Sequence, residues 1–212
     1  MQTQRARTVE LSDVFDSIVN QMRADRDQIN DLDRVDGNGN HGDNALYNFE
    51  LVANKLRSTR GQDAQTQLMQ AASLLQQNGR GQTAGMYAEG LRNAAQQLGN
   101  RQGISMDDII PLLQGLLGGV QRQTDAQPGQ GTLMDALMPG IMGYIGSRQS
   151  GRSNTDAIMD AIGAAMRGSQ QTYNGPAQYG NYRRQPKQSW RDPGAASASS
   201  MLQGLFRSIT GL

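Results

Sequence analysis

Cysteine is absent from the 212-residue sequence, which excludes a disulfide framework, thiolate nucleophiles and thiolate-bound zinc. Aromatic residues are scarce, at 5% of the chain. β-Branched residues are too thinly spread for any stretch to alternate strictly for long, so strands are not expected. No run approaches the roughly 18–20 apolar residues that a membrane span needs. An excess of charge of either sign is also missing: 20 Lys and Arg against 19 Asp and Glu leave +1. That balance argues against an acidic tail and against the basic footprint of a nucleic-acid binder. Residues 1–7 read as a polar tail with no apolar signal core behind it, which argues against export. The 26 Gly and 6 Pro stay below the ~25–30% that marks low complexity. One soluble, cytoplasmic domain over residues 8–212, long enough to bury a core, is the expectation.

What the sequence does contain is helical periodicity. Leu11, Val14, Phe15, Ile18, Val19 and Met22 recur at i, i+3, i+4, i+7 and mark one buried stripe, with Ser12 and Asp13 placed to cap its start. Leu46, Phe49, Val52, Ala53 and Leu56 make a second stripe, ended near Gly61. Leu68, Ala71, Ala72 and Leu75 make a third, closed by Asn78 and Gly79, and Tyr87, Leu91, Ala94, Ala95 and Leu98 a fourth, closed by Gly99. Ser105 and Asp108 form a capping-box pattern ahead of the apolar positions within 109–120. Residues 133–145, 155–166 and 195–209 supply further helices. Together these predict an all-α bundle. Residues 169–193, which hold Tyr173, Tyr179, Tyr182 and Trp190, read as a long partly ordered loop. The 11 Met are core filler in this reading. Arg183, Arg184, Lys187 and Arg191 form a solvated basic face.

Residues 33–44 carry the chemistry. Asp33, Asp36, Gly37, Asn38, Gly39, Asn40, the lone His41, Gly42, Asp43 and Asn44 crowd small, turn-forming and oxygen-bearing residues between the first two stripes. A polar loop with an N-cap is the plainest reading and, on composition alone, the favoured one. A calcium loop matches at Asp36, Asn38 and Asn40 but fails where His41 replaces the required Gly and Tyr47 the bidentate Glu. A magnesium-nucleotide site is the third reading. A helix beginning beside Asn44 would offer free amides to a phosphate.

The ordered motifs resemble those of the L-subunit family of dihydroxyacetone kinases, the ADP-binding DhaL type. The family's Leu-Asp-Arg element running into Gly-Asp-x-Asp-His-Gly-x-Asn resembles Leu32-Asp33-Arg34 followed by Gly37-Asn38-Gly39-Asn40-His41-Gly42-Asp43-Asn44. Its Gly-Gly-Ala-Ser-Gly turn corresponds to Arg80-Gly81-Gln82-Thr83-Ala84. Its Gly-Asp-Lys-Thr-Met-Leu-Asp-Ala-Leu-x-Pro is similar to Gly129-Gln130-Gly131-Thr132-Leu133-Met134-Asp135-Ala136-Leu137-Met138-Pro139. Its Asp-Pro-Gly-Ala-x-Ser recurs unchanged as Asp192-Pro193-Gly194-Ala195-Ala196-Ser197.

The resemblance implies an antiparallel barrel of about eight helices with nucleotide bound at one end. It places Asp33, Asn38 and Asn40 at the magnesium positions. It also places His41, Gly42, Asn44, Gly81, Thr83, Leu133, Asp192, Pro193 and Gly194 against the nucleotide. It implies Mg2+ with ADP or ATP as cofactors and phosphate transfer to dihydroxyacetone held by a separate K-type subunit, with a phosphotransferase-system protein as the alternative donor. A homodimer is a further expectation; nucleic acid is not an expected partner. No catalytic residue is assigned. Asn stands at two of the three metal positions, Gln130 and Gly131 replace an Asp and a Lys, and Tyr179 stands where the family has an Arg. All of these reduce charge around the phosphates, so magnesium binding and catalysis are expected to be weakened. The rival from another class is a non-catalytic interaction or lipid-binding module.

Overall fold

The computed structural model describes residues 8–34, 37–105 and 193–210, together with positions 108, 112, 115–116, 142–143, 146–147, 149–153, 156–157, 160 and 163–164. Among the described residues there are five α-helices: α1 (Leu11–Asp33), α2 (His41–Ser58), α3 (Ala64–Asn78), α4 (Ala84–Leu98) and α5 (Pro193–Thr210). They contain no strand, only an isolated antiparallel bridge between Val9 and Ile104, so the all-α expectation holds for them. The helices expected within 109–120, 133–145 and 155–166 lie mostly outside the described residues, as does the aromatic loop up to residue 192. No helix among the described residues is long and apolar enough to cross a membrane.

α1 overruns its apolar stripe. The stripe residues from Leu11 to Met22 are all buried, and the added turns bury Ile29 and Asn30 as well. The start also differs from expectation, because Glu10 is the N-cap and Ser12 already lies inside the first turn. Ser12 is buried there, and its hydroxyl accepts from Arg60 Nε at 3.1 Å and Nη2 at 2.6 Å. Asp13 keeps a first-turn place, where a carboxylate suits the helix dipole. α3 starts on Asp63, whose Oδ1 accepts from Thr66 N at 2.9 Å. α3 and α4 end at Gly79 and Gly99, and Gly99 takes a φ of +60° that a side chain would resist.

The helices pack side by side in chain order, α1 on α2, α2 on α3 and α3 on α4, while α5 returns to α1. α1 and α2 are antiparallel: Asn30 meets Gly42 near one end, Arg23 pairs with Glu50 at 2.7 Å midway, and Arg57 pairs with Asp16 near the other end. α5 is antiparallel to α1, with the Ser200 hydroxyl on Asp25 Oδ2 at 2.6 Å and Gly204 pressed against Ser17 and Ile18. Phe15, Phe49 and Tyr87 link α1, α2 and α4 through the core. The first pair is stacked at 6.3 Å and the second meets edge to face at 5.0 Å. Leu11, Ile18, Leu56, Leu68, Leu75, Leu91 and Leu98 fill the space around them and are almost fully buried. Each such side chain is worth about 2 kcal/mol of apolar burial. This wiring sends the C-termini of α1 and α3 and the N-termini of α2, α4 and α5 to one end of the molecule.

Candidate functional site

At that end, α1 supplies the acceptors for the start of α2. Asp33 Oδ2 accepts from Asn40 N at 3.0 Å and His41 N at 3.2 Å. Asn30 Oδ1 accepts from Gly42 N at 2.8 Å and Asp43 N at 3.2 Å. The next amide, Asn44 N, already bonds to Asn40 O at 2.9 Å. α2 therefore begins at His41, not beside Asn44, and its first amides are taken by α1 side chains instead of being free for a phosphate. This corrects the sequence expectation. The cause is the fit between two elements: helix amides need acceptors, and α1 brings a carboxylate and a carboxamide against them. Gly42 makes the approach possible, since a side chain there would strike the Arg26 carbonyl and the Asn30 amide. Gly39, at φ +72°, carries the chain through the preceding turn.

The Arg80–Thr83 turn is tied to the same end through α2. Asn48 is 1% exposed, and its carboxamide brackets the Arg80 backbone: Nδ2 donates to Arg80 O and Oδ1 accepts from Arg80 N, both at 2.8 Å. Gly81, with φ +73°, lies directly against the Asn44 side chain. The Arg80 guanidinium stands 3.8 Å above the Tyr47 ring. Thr83 is the N-cap of α4 and hydrogen-bonds the Tyr87 hydroxyl. Burial pushes the Tyr87 phenol up to about 12, and the Thr83 bond offsets only part of that rise.

Asp33, Asn40, His41, Gly42, Asn44, Gly81 and Thr83 are thus brought to one neighbourhood, linked in part by the 3.0 Å bond from Asn44 Nδ2 to Asn40 Oδ1. Asn38 lies exposed in the same loop. The antiparallel course of α5 brings Pro193 and Gly194 to this end. Leu133 and Asp192 lie outside the described residues. Sequence reasoning missed Asn30 and Asn48. Asn30 stands three residues before Asp33, and Asn48 four after Asn44, so helical spacing from the motif residues was the available signal.

A divalent cation would find few anionic oxygens here. Asn38 and Asn40 offer neutral amides, and Asp33 already spends one oxygen on two backbone N–H groups. Among the described residues, no group of three or more His, Asp or Glu side chains is placed to hold a metal ion. The donor set does not fit a magnesium ion well, because this hard cation favours carboxylate and phosphate oxygens. Nearby cations are partly neutralised: Arg34 pairs with Asp31 at 2.6 Å, and Arg26 with Asp27 at 2.8 Å and Asp43 at 3.6 Å. The Asp27 bond and charge are the main cause of a further rise in the already high Arg26 value.

Comparison with known proteins places this arrangement in context. The DAK2 domain family matches residues 36–207. The chain is 26% identical over 176 residues to the ADP-binding subunit DhaL of the PEP-dependent dihydroxyacetone kinase of Escherichia coli (strain K12), covering 82% of this chain and 84% of that one. Its fold resembles the crystal structure of the dihydroxyacetone kinase of C. freundii, with a TM-score of 0.61 and 19% identity, over 98% of this chain. The chain spans 37% of the length of that larger kinase chain. With the match running from the loop after α1 into α5, the chain belongs to the DAK2 domain family.

Proposed function

We propose that this protein is a DhaL-like, ADP-binding phosphotransfer subunit of a dihydroxyacetone-kinase-type system, with weakened magnesium binding and weakened catalysis. The observation that carries the reading is the gathering of Asp33, Asn40, Asn44, Gly81 and Thr83 at the end where α2, α4 and α5 begin. With the α2 amides taken by Asn30 and Asp33, the starts of α4 and α5 supply the positive dipole ends that favour a diphosphate. In this reading residues 8–212 form one antiparallel barrel of about eight helices. His41, Gly42, Asn44, Gly81, Thr83, Leu133, Asp192, Pro193 and Gly194 face the nucleotide. Asp33, Asn38 and Asn40 stand at the cation positions, where a single carboxylate holds Mg2+ poorly.

Phosphoryl transfer depends on positioning and on electrostatic stabilisation of the moving group. The chain's own residues can position a nucleotide, and the single carboxylate among the three cation positions limits the stabilisation. The acceptor, dihydroxyacetone, is held by a K-type subunit, and a phosphotransferase-system protein recharges the nucleotide where ATP does not. Titration calorimetry with ADP tests the reading. Binding below millimolar nucleotide, and a rise in Tm with ADP, is the expected result. No heat of binding with or without Mg2+ would overturn it. For the rival lipid module, the gap among the described residues lined by Phe49, Val52, Leu75, Tyr87, Leu91 and Leu116 is too small to admit even a water molecule.

A further inference from the structure

We infer that Arg80 is the cation that receives the diphosphate in this protein, so that ADP binds without a divalent metal. The inference rests on the ADP-binding reading and deepens it. Three observations on the site meet at this residue. The carboxylates that would recruit a metal are missing from Asn38 and Asn40, and Asp33 is engaged by the Asn40 and His41 amides. Among the described residues, the other arginines on this end, Arg26 and Arg34, are paired with aspartates of their own. Arg80 pairs with no carboxylate among the described residues; its guanidinium stands instead over the Tyr47 ring at 3.8 Å.

Its position is also fixed more firmly than that of an ordinary surface arginine. Asn48, almost wholly buried, clamps the Arg80 backbone with two bonds of 2.8 Å, and the neighbouring Gly81 rests on Asn44. The side chain therefore leaves a rigid turn that borders His41–Asn44 on one side and the start of α4 on the other. A guanidinium over an aromatic face keeps its N–H donors at its edge, and a fork of donors matches phosphate oxygens two at a time. A fixed positive charge then does what a bound cation does elsewhere: it offsets the charge of the diphosphate, with no metal needed to bridge it.

Calorimetry of ADP and adenosine, in EDTA and in Mg2+, tests this on the wild type, Arg80→Ala, Arg80→Lys and Tyr47→Leu. The wild type should bind ADP in EDTA within about threefold of its affinity in Mg2+. Arg80→Ala should lose about tenfold in ADP affinity, as expected for a lost charge-assisted contact. Its adenosine affinity and Tm should stay unchanged. Arg80→Lys should recover part of the loss, and Tyr47→Leu should show a smaller loss of the same kind. Arg80→Ala binding ADP like the wild type, or wild-type binding that vanishes in EDTA, would overturn the role of Arg80 while leaving ADP binding intact. Absence of ADP binding by the wild type in both buffers would sink the underlying reading as well.

Discussion

The two ends of the helical bundle are built by different rules. At the end away from the candidate site, the side-chain caps come from residues close in sequence, alongside longer-range contacts from Arg60 to Ser12 and Asp13 and from the Gly99 and Arg101 carbonyls to the first amides of α3. Asp63 caps α3 through Thr66, Arg101 donates to the last carbonyls of α4 (Leu98 O at 2.6 Å), and Asp108 Oδ2 accepts from Ser105 N at 2.9 Å. At the site end, the finishing groups come from other helices: Asn30 and Asp33 of α1 serve α2, and Asn48 of α2 serves the turn before α4. Asp33 even sits at the negative end of its own helix, a poor place for a carboxylate until the start of α2 is brought against it. Local capping makes a helix; capping across helices makes a site, because it fixes segments relative to one another.

If that contrast is real, the costliest substitution at the site end is one that forces the helices apart. Gly42→Ala places a methyl group against the Arg26 carbonyl and the Asn30 amide, both held within α1. We expect a loss of about 3 kcal/mol in urea unfolding, typical of overpacking that the backbone must absorb. A loss below about 0.5 kcal/mol would mean that α1 and α2 yield easily, and the contrast between the ends would fail.

Alkaline titration gives a somewhat smaller effect. The Tyr87 phenol is raised from its ordinary 10 to about 12 by burial beside Phe49. Folding therefore favours the neutral phenol, and this contribution is complete below pH 10 and lost as pH rises through 12. The full loss is about 2.7 kcal/mol. Tyr87→Phe should lack this phase in a plot of Tm against pH, at the cost of the Thr83 hydrogen bond. An identical alkaline profile in the variant would show that the phenol is not the group responsible.

Asn30→Ala comes next. It strips the acceptor from the Gly42 and Asp43 amides, the first of which belongs to a buried residue. A loss of about 1.5 kcal/mol is expected. ADP affinity should fall with it, because the His41–Asn44 turn loses its anchor. A stability loss with unchanged ADP affinity would confine Asn30 to the fold.

The same contrast explains what was legible in the sequence. Phe15, Ile18, Val52, Leu68, Leu91 and the other stripe residues are buried as their spacing indicates, because apolar periodicity reports a helix face without knowledge of its neighbours. The Ser105–Asp108 box and the glycine stops were readable for the same reason: cause and effect lie within four residues. The start of α2 was not. His41, Gly42, Asp43 and Asn44 are weak helix formers, and the groups that make them helical lie 7 to 13 residues upstream. Asn48 was overlooked because its partner is 32 residues away, and nothing in its own surroundings distinguishes it from a surface amide. Periodicity carries no information across helices, so only the resemblance linked Asp33 and Asn40 with Gly81 and Thr83 in the sequence.

The smallest effect belongs to the opposite end, and it serves as the control. Asp63 accepts from the Thr66 amide at 2.9 Å and hydroxyl at 2.8 Å, and these bonds hold its carboxyl below the ordinary 3.8. A lowered value means that the carboxylate stabilises the fold above the unfolded value, and that this support fades as pH drops through the folded one. Asp63→Ala should lower the Tm by about 2 °C at neutral pH, as expected for loss of an exposed cap. The difference from the wild type should shrink below pH 4. ADP affinity should not change at all, since α3 begins at the end remote from Asp33 and Gly81. A loss of ADP binding in this variant equal to that of Asn30→Ala would show that any weakened cap disturbs the nucleotide end, and that the division between local and cross-helix capping carries no functional meaning.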